Sequence, residues 1–145
     1  MGIRVIKIDN DTDFEKAKKI RYEVFVIEQK VPEADEFDEY EPVCHHFLAL
    51  DGEKAVGAAR WRRTENGVKL ERFAVAASHR GKGVGSALVE AVLQDIDKNN
   101  EAKDALKYLH AQLDAIPLYA KFGFEAKGEV FDECNILHRT MELPA

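Results

Sequence analysis

Three glycines at alternate positions, Gly81, Gly83 and Gly85, stand between Arg80, Lys82, Val84 and Ser86 and lead directly into an amphipathic stretch. Glycine adopts backbone conformations that side chains resist, so several N–H groups of such a loop can point at one anion. A helix starting there adds unpaired N–H donors and the positive end of its dipole, and Arg80 and Lys82 add full charges. This is the chemistry of a phosphate site, and its alternative is a glycine-rich turn without a ligand. The loop is not a Walker A sequence, because Lys82 precedes the last glycines instead of following them. It is a poor dinucleotide fingerprint as well, since Ser86 or Leu88 falls where a third glycine or alanine belongs.

Charge is distributed unevenly. Between Glu33 and Glu41 lie six carboxylates and no cation (Glu33, Asp35, Glu36, Asp38, Glu39, Glu41). Between Arg60 and Lys82, seven cations face only Glu65 and Glu71. Each run read alone is a solvated face; the acidic run is also a means of concentrating a cationic substrate. The net charge of -6 argues against a protein that holds nucleic acid. Neither His-x-His nor His-x-x-x-His spacing occurs, so no metal is expected, and Cys44 and Cys134 do not make a disulfide framework or a zinc site by themselves.

The elements that must position these residues follow from periodicity. Residues 3–8 alternate as a strand. Thr12, with Glu15 three positions on, reads as a capping box opening a helix of about four turns before Pro32. Its end, residues 22–27, is apolar all round and suits a pocket wall. The acidic run follows as a long loop or a short helix. Strands are expected at 44–50, 54–63 and 68–77, with turns at Asp51-Gly52 and Asn66-Gly67. The glycine loop then opens a helix to about residue 98 that turns Val84, Leu88, Ala91, Val92 and Ile96 inward. A strand at 106–113, a short helix at 116–122 with Pro117 in its first turn, and strands at 124–130 and 136–143 joined by a loop complete the chain.

The 145 residues suit one domain over residues 1–145, and 46 % apolar with 33 % charged residues suit a globular protein with a core. No apolar run approaches the length of a membrane span, no signal peptide is evident, and Ile6 stands where a myristoylation site wants Ser or Thr. A cytoplasmic protein without membrane partners is the expectation.

The segment Arg80-Gly81-Lys82-Gly83-Val84-Gly85 resembles the Gln/Arg-x-x-Gly-x-Gly/Ala signature of the GCN5-related N-acetyltransferase (GNAT) superfamily, placed between a central strand and a long helix as in that family. Tyr119-Ala120-Lys121-Phe122-Gly123-Phe124 is similar to its helix-to-strand junction. Residues 21–29, the acidic run, His45-His46-Phe47, Ala111-Gln112 and Phe131-Asp132-Glu133 with His138 resemble the small bacterial subgroup related to ElaA. The resemblance implies an α/β fold with a mixed, mostly antiparallel sheet, splayed between its fourth and fifth strands and carrying helices on both faces. It further implies that acetyl-CoA lies in the splay. Its pantetheine would pair with the backbone of Phe73, Ala74 and Val75, its pyrophosphate would sit on the loop from Arg80 to Ser86, and Gln112 would stand where the family often has Asn. The implied reaction is transfer of the acetyl group to an amine, through a ternary complex.

On that reading Glu71, two residues before Phe73 and hence on its face of the strand, is the candidate base, and Tyr119 is the candidate acid. His46 is preferred to His138 as a further proton carrier. A catalytically silent acyl-CoA-binding module and an ATP- or NAD-binding protein are the alternatives, and a homodimer is left open.

Overall fold

The computed structural model describes residues 2–144. One seven-stranded sheet has the order β1-β2-β3-β4-β5-β7-β6. β1 (Ile3–Lys7), β2 (His45–Asp51), β3 (Lys54–Thr64) and β4 (Gly67–Val75) form an antiparallel meander. β5 (Lys107–Gln112) joins β4 in parallel, and β7 (Ile136–Leu143) pairs antiparallel with both β5 and β6 (Glu125–Glu133).

Helix α1 (Asp11–Arg21) lies on one face, where Ala17 and Ile20 pack with Leu48, Leu50, Ala58 and Ala74. Its cap is Asn10 rather than Thr12: the Asn10 side chain accepts from the Asp13 N–H at 2.8 Å and its amide donates to the Asp13 carboxylate at 3.0 Å. The cap therefore forms two residues earlier than expected, with Asp13 in the place of Glu15 but reaching the Asn10 side-chain amide and not its backbone N–H. Residues Tyr22–Glu28 continue α1 as a π-helix, a widened turn that occurs often at functional sites. Val24 and Phe25 are buried there but Tyr22 and Ile27 are exposed, so only part of the apolar stretch forms a wall. The acidic run contains the four-residue helix α2 (Glu33–Glu36) and a 3-10 turn at Glu41–Val43.

On the other face, α3 (Val84–Lys98) buries Val84, Leu88, Val89, Val92 and Ile96 against Phe47, Val56, Trp61 and Leu70. Val89 takes the inward place expected of Ala91, which is only half-buried. Each such side chain contributes roughly 1.5–3 kcal/mol on leaving water. The short α4 (Ile116–Ala120) packs beside α3 and brings Tyr119 into the core. β6 runs three residues further than expected, to Glu133, because Cys134 and Asn135 form a two-residue turn with both φ angles positive, 54° and 64°. The right-handed twist of a hairpin favours such turns. Its consequence is that Glu133 comes to lie beside β7.

Candidate active site

β4 and β5 are paired only at Val68↔Lys107 and Lys69↔Tyr108. Beyond them β5 turns to β7, and β4 from Leu70 to Val75 keeps only its β3 partner, so one backbone edge lies open at Phe73, Ala74 and Val75. Arg72 has φ +61°, and the β3 register shifts between Ala58 and Arg60 opposite it. A bulge adds one residue and so reverses the alternation of side chains beyond it. Leu70 packs on the α3 face together with Phe73 and Val75, while Ala74 packs on the α1 face. Glu71, adjacent to Leu70, therefore lies on the face opposite Phe73, and the simple period of two misplaces it.

The splay opens a cavity of about 410 Å³ that Glu71, Phe73 and Tyr119 nevertheless all line, because it passes between the strands. Tyr119 is 7 % exposed, with its ring edge-on to Phe73 at 5.7 Å and to Phe124 at 6.2 Å. Burial pushes its phenol well above the ordinary value, so it holds its proton at neutral pH. Gln112 lines the cavity and donates from Nε2 to Gln29 Oε1 at 2.8 Å, linking β5 to the end of the π-helix. His46 is elsewhere. Its Nε2 lies 2.9 Å from the Glu41 carbonyl, its ring is edge-on to Phe14, burial lowers its pKa, and it does not line the cavity.

Glu71 is 8 % exposed and surrounded by cations: Arg62 Nε at 2.6 Å, Arg60 at 3.1 Å, Lys69 at 3.5 Å and Arg72 at 3.7 Å. Burial alone would raise its pKa, but Arg60, Lys69 and Arg72 outweigh burial and hold it below the usual carboxylate range. Much of the acidic run is consumed in the same way. Arg21 binds Glu36 and Glu41, each at 2.8 Å; Arg60 binds Asp38 at 2.8 Å and Glu41 at 2.7 Å; Arg72 binds Glu36 at 3.2 Å and Asp38 at 3.1 Å. The run thus forms one wall of the site, pinned by arginines from α1, β3 and β4, while Glu33, Asp35 and Glu39 remain exposed.

The glycine loop lies at the end of the open β4 edge. Gly81 and Gly83 have φ +76° and +86°, and an added Cβ at either would meet nothing within 4 Å, so the space before the start of α3 is free. Gly85 has a different role, since a Cβ there would stand 3.2 Å from Leu118 of α4. Arg80 donates from Nε to the Val75 carbonyl at 3.1 Å and pairs with Glu28 at 2.9 Å. Lys82 is exposed, Val84 is buried in the core, and Ser86 Oγ accepts from Lys121 at 3.1 Å.

Residues 10–145 match the family model described as the acetyltransferase (GNAT) domain. The chain belongs to the GNAT acetyltransferase family. This acetyltransferase is 38 % identical over 140 residues to an uncharacterized N-acetyltransferase, YjcF, of Bacillus subtilis, covering 96 % of the chain and 98 % of the relative. In three dimensions it is similar to an acyl-CoA N-acyltransferase from Pseudomonas aeruginosa, with TM-score 0.85 and 29 % identity over 99 % of this chain and 100 % of that one. Escherichia coli ElaA shares the fold at TM-score 0.80 and 24 % identity, over 98 % and 99 % of the two chains.

The acetyltransferase cavity also contains residues that sequence reasoning passed over or ranked low. His110 from β5, Glu133 from β6 and His138 from β7 meet in its lining, as do Phe25 and Gln29 from the π-helix. Asn135 was the available signal for the first three, since Asn tolerates the left-handed conformation of a tight turn. Among the described residues no group of three or more His, Cys, Asp or Glu is arranged to hold a metal ion, and no helix is long and apolar enough to cross a membrane.

Proposed function

We propose that this acetyltransferase passes the acetyl group of acetyl-CoA directly to an amine bound in the cavity, within a ternary complex. The observation that carries this reading is the open edge of β4 at Phe73, Ala74 and Val75, which runs from the glycine loop at one end into a cavity bordered by Tyr119 at the other. An extended pantetheine arm can add to such an edge through main-chain hydrogen bonds. Its pyrophosphate then falls at the N-terminus of α3, where Gly81 and Gly83 allow close approach, Arg80 and Lys82 stand in the loop and Ser86 in the first turn of the helix. Gln112 offers an amide on the facing strand.

The thioester carbonyl would lie where the bulge turns an N–H of Phe73 or Ala74 toward it, which stabilises the oxyanion of the tetrahedral intermediate. When the intermediate collapses, the Tyr119 hydroxyl gives its proton to the departing thiolate. Glu71 keeps the cluster of Arg60, Arg62 and Lys69 neutralised beside the acceptor; its four cationic partners leave it little tendency to take a proton.

Thermal unfolding with acetyl-CoA, ATP and NAD tests the binding half of this reading. Acetyl-CoA at a hundredfold excess over its dissociation constant should add about 2.7 kcal/mol, and the others should add nothing. Thiol release across polyamines, arylalkylamines, amino acids and peptides tests the chemical half. Tyr119→Phe should lower turnover about a hundredfold to ten-thousandfold with CoA affinity kept. Full turnover in that variant would return Tyr119 to the core, and equal stabilisation by all three nucleotides would remove the acetyl-CoA site.

A further inference from the structure

Direct transfer needs a group that takes a proton from the acceptor, because an alkylammonium is almost wholly protonated at neutral pH. Glu71 is saturated with cations and His46 is outside the cavity. The wall formed by β5, β6 and β7 offers another candidate. His138 is 6 % exposed and lines the cavity. Its Nδ1 is 2.7 Å from the Ile136 carbonyl. A carbonyl oxygen only accepts, so Nδ1 carries the hydrogen, and in the neutral ring Nε2 is left as a lone pair. The ring is stacked on Phe131 at 5.9 Å with an interplanar angle of 20°, which fixes its plane.

The Nε2 atom has a partner suited only to the protonated ring. Glu133 Oε2 is 3.8 Å away, too far for a hydrogen bond and close enough to stabilise an imidazolium. The other oxygen of Glu133 accepts from His110 Nδ1 at 3.2 Å, and that hydrogen bond holds the Glu133 carboxyl below its usual range. The groups that share the cavity lining with His138 there are Glu133 on β6, His110 and Gln112 on β5, and Lys69 on β4 at the closed end of the splay, with Phe131 of β6 stacked on its ring. A ring held in one tautomer, with its accepting atom beside an anion that its neighbour orients, is the arrangement of a general base.

We propose that His138 is the base of the reaction: its Nε2 takes a proton from the acceptor's ammonium, and Glu133 stabilises the imidazolium formed. This rests on the acetyl-transfer reading. The amine loses two protons in all. The first passes to His138 Nε2 and on to solvent. The second leaves the nitrogen as the C–N bond forms and the C–S bond breaks, and it replaces the proton that Tyr119 gives to the thiolate. Glu133 is a positioning residue, acting through His138.

Two nucleophiles small enough for the cavity whatever its natural acceptor separate this role from a structural one. Propylamine is an ammonium at neutral pH and needs a base; hydroxylamine is already largely unprotonated and does not. His138→Gln should lower enzyme-dependent CoA release to propylamine by about a hundredfold to ten-thousandfold and largely retain enzyme-dependent release to hydroxylamine, each taken above the uncatalysed reaction of the nucleophile with acetyl-CoA. Glu133→Gln, which changes no volume, should show a smaller loss with the same selectivity. Equal losses with both nucleophiles, or no loss, would overturn the proposal. Nitrogen-15 spectra of the His138 ring in the free protein give a readout without turnover: Nδ1–H with unprotonated Nε2 is expected, and the opposite tautomer would overturn it. Absence of wild-type CoA release to either nucleophile would instead overturn the acetyl-transfer reading, and this inference with it.

Discussion

The glycine loop and the arginine–carboxylate network lie at opposite ends of the same open strand and handle charge in opposite ways. The loop offers backbone N–H groups and the exposed Lys82, with Arg80 held by Glu28, to a space that no neighbouring atom enters at Gly81 or Gly83. In the network, Arg21 and Arg60, 1 % and 0 % exposed, are enclosed by Glu36, Asp38, Glu41 and Glu71, which leave little net charge to offer. An anion site of backbone donors can stay open in water because its donors are solvated until a ligand arrives. Buried guanidinium groups have no such recourse and must be paired within the fold. The two regions teach that a charged run is a binding surface only where its own chain leaves it unneutralised.

Breaking the network should have the larger effect on the folded state. Arg60→Ala leaves Asp38, Glu41 and Glu71 short of a buried partner and should cost about 3–5 kcal/mol in chemical denaturation. A loss below 1 kcal/mol would mean that the network is held together without Arg60. Acid should act on the same groups. Asp38, Glu41 and Glu71 are each held below the usual range by their arginines, which overcome burial. A depressed folded pKa contributes stability that is complete above the unfolded value, about 4 for a carboxylate, and is lost as pH falls through the folded one. The denaturation midpoint should therefore begin to fall below about pH 6.5, where the unfolded chain protonates His46 but its burial in the fold resists the proton, and fall further below about pH 4 as the three carboxylates are neutralised. Glu71→Gln should make that decline shallower; an unchanged slope would exclude Glu71 as a contributor.

The loop should respond in function more than in stability. Gly83→Val forces a branched side chain to φ +86°, a strain of about 1–2 kcal/mol. The variant should stay folded and lose stabilisation by acetyl-CoA, and a folded variant with unchanged CoA affinity would remove the loop from the site. The smallest effect is expected at Asp35, which is exposed and has no cationic partner among the salt bridges of the described residues. Asp35→Asn should change stability by no more than about 0.5 kcal/mol. If it also leaves the salt dependence of acceptor binding unchanged, Asp35 does not attract the amine; a weaker salt dependence would show that it does.

Much of the architecture is legible in local signals. Turn residues mark both hairpins of the meander, the glycine loop leads into α3 as expected, and Tyr119 and Gln112 both line the cavity of the splay. These features depend on backbone preference and on a period of 3.6 or 2, which neighbours in sequence determine. The rest depends on contacts across tens of residues. Arg72 is no turn residue, yet β3 pairing drives it to positive φ, and that one bulge puts Glu71 on the face opposite Phe73. Arg21 and Glu36 carry no sign in sequence that each will be buried against the other.

The sequence by itself determined the order of elements, the glycine loop before α3 and the family, because each is written in short runs whose conformation is set locally. Only the tertiary structure decided which carboxylates are free, which face each strand residue takes beyond the bulge, and that His110, Glu133 and His138 share one wall. The reason is physical: strand pairing fixes register over long separations, and burial then compels each charge to find whatever partner that register brings within reach.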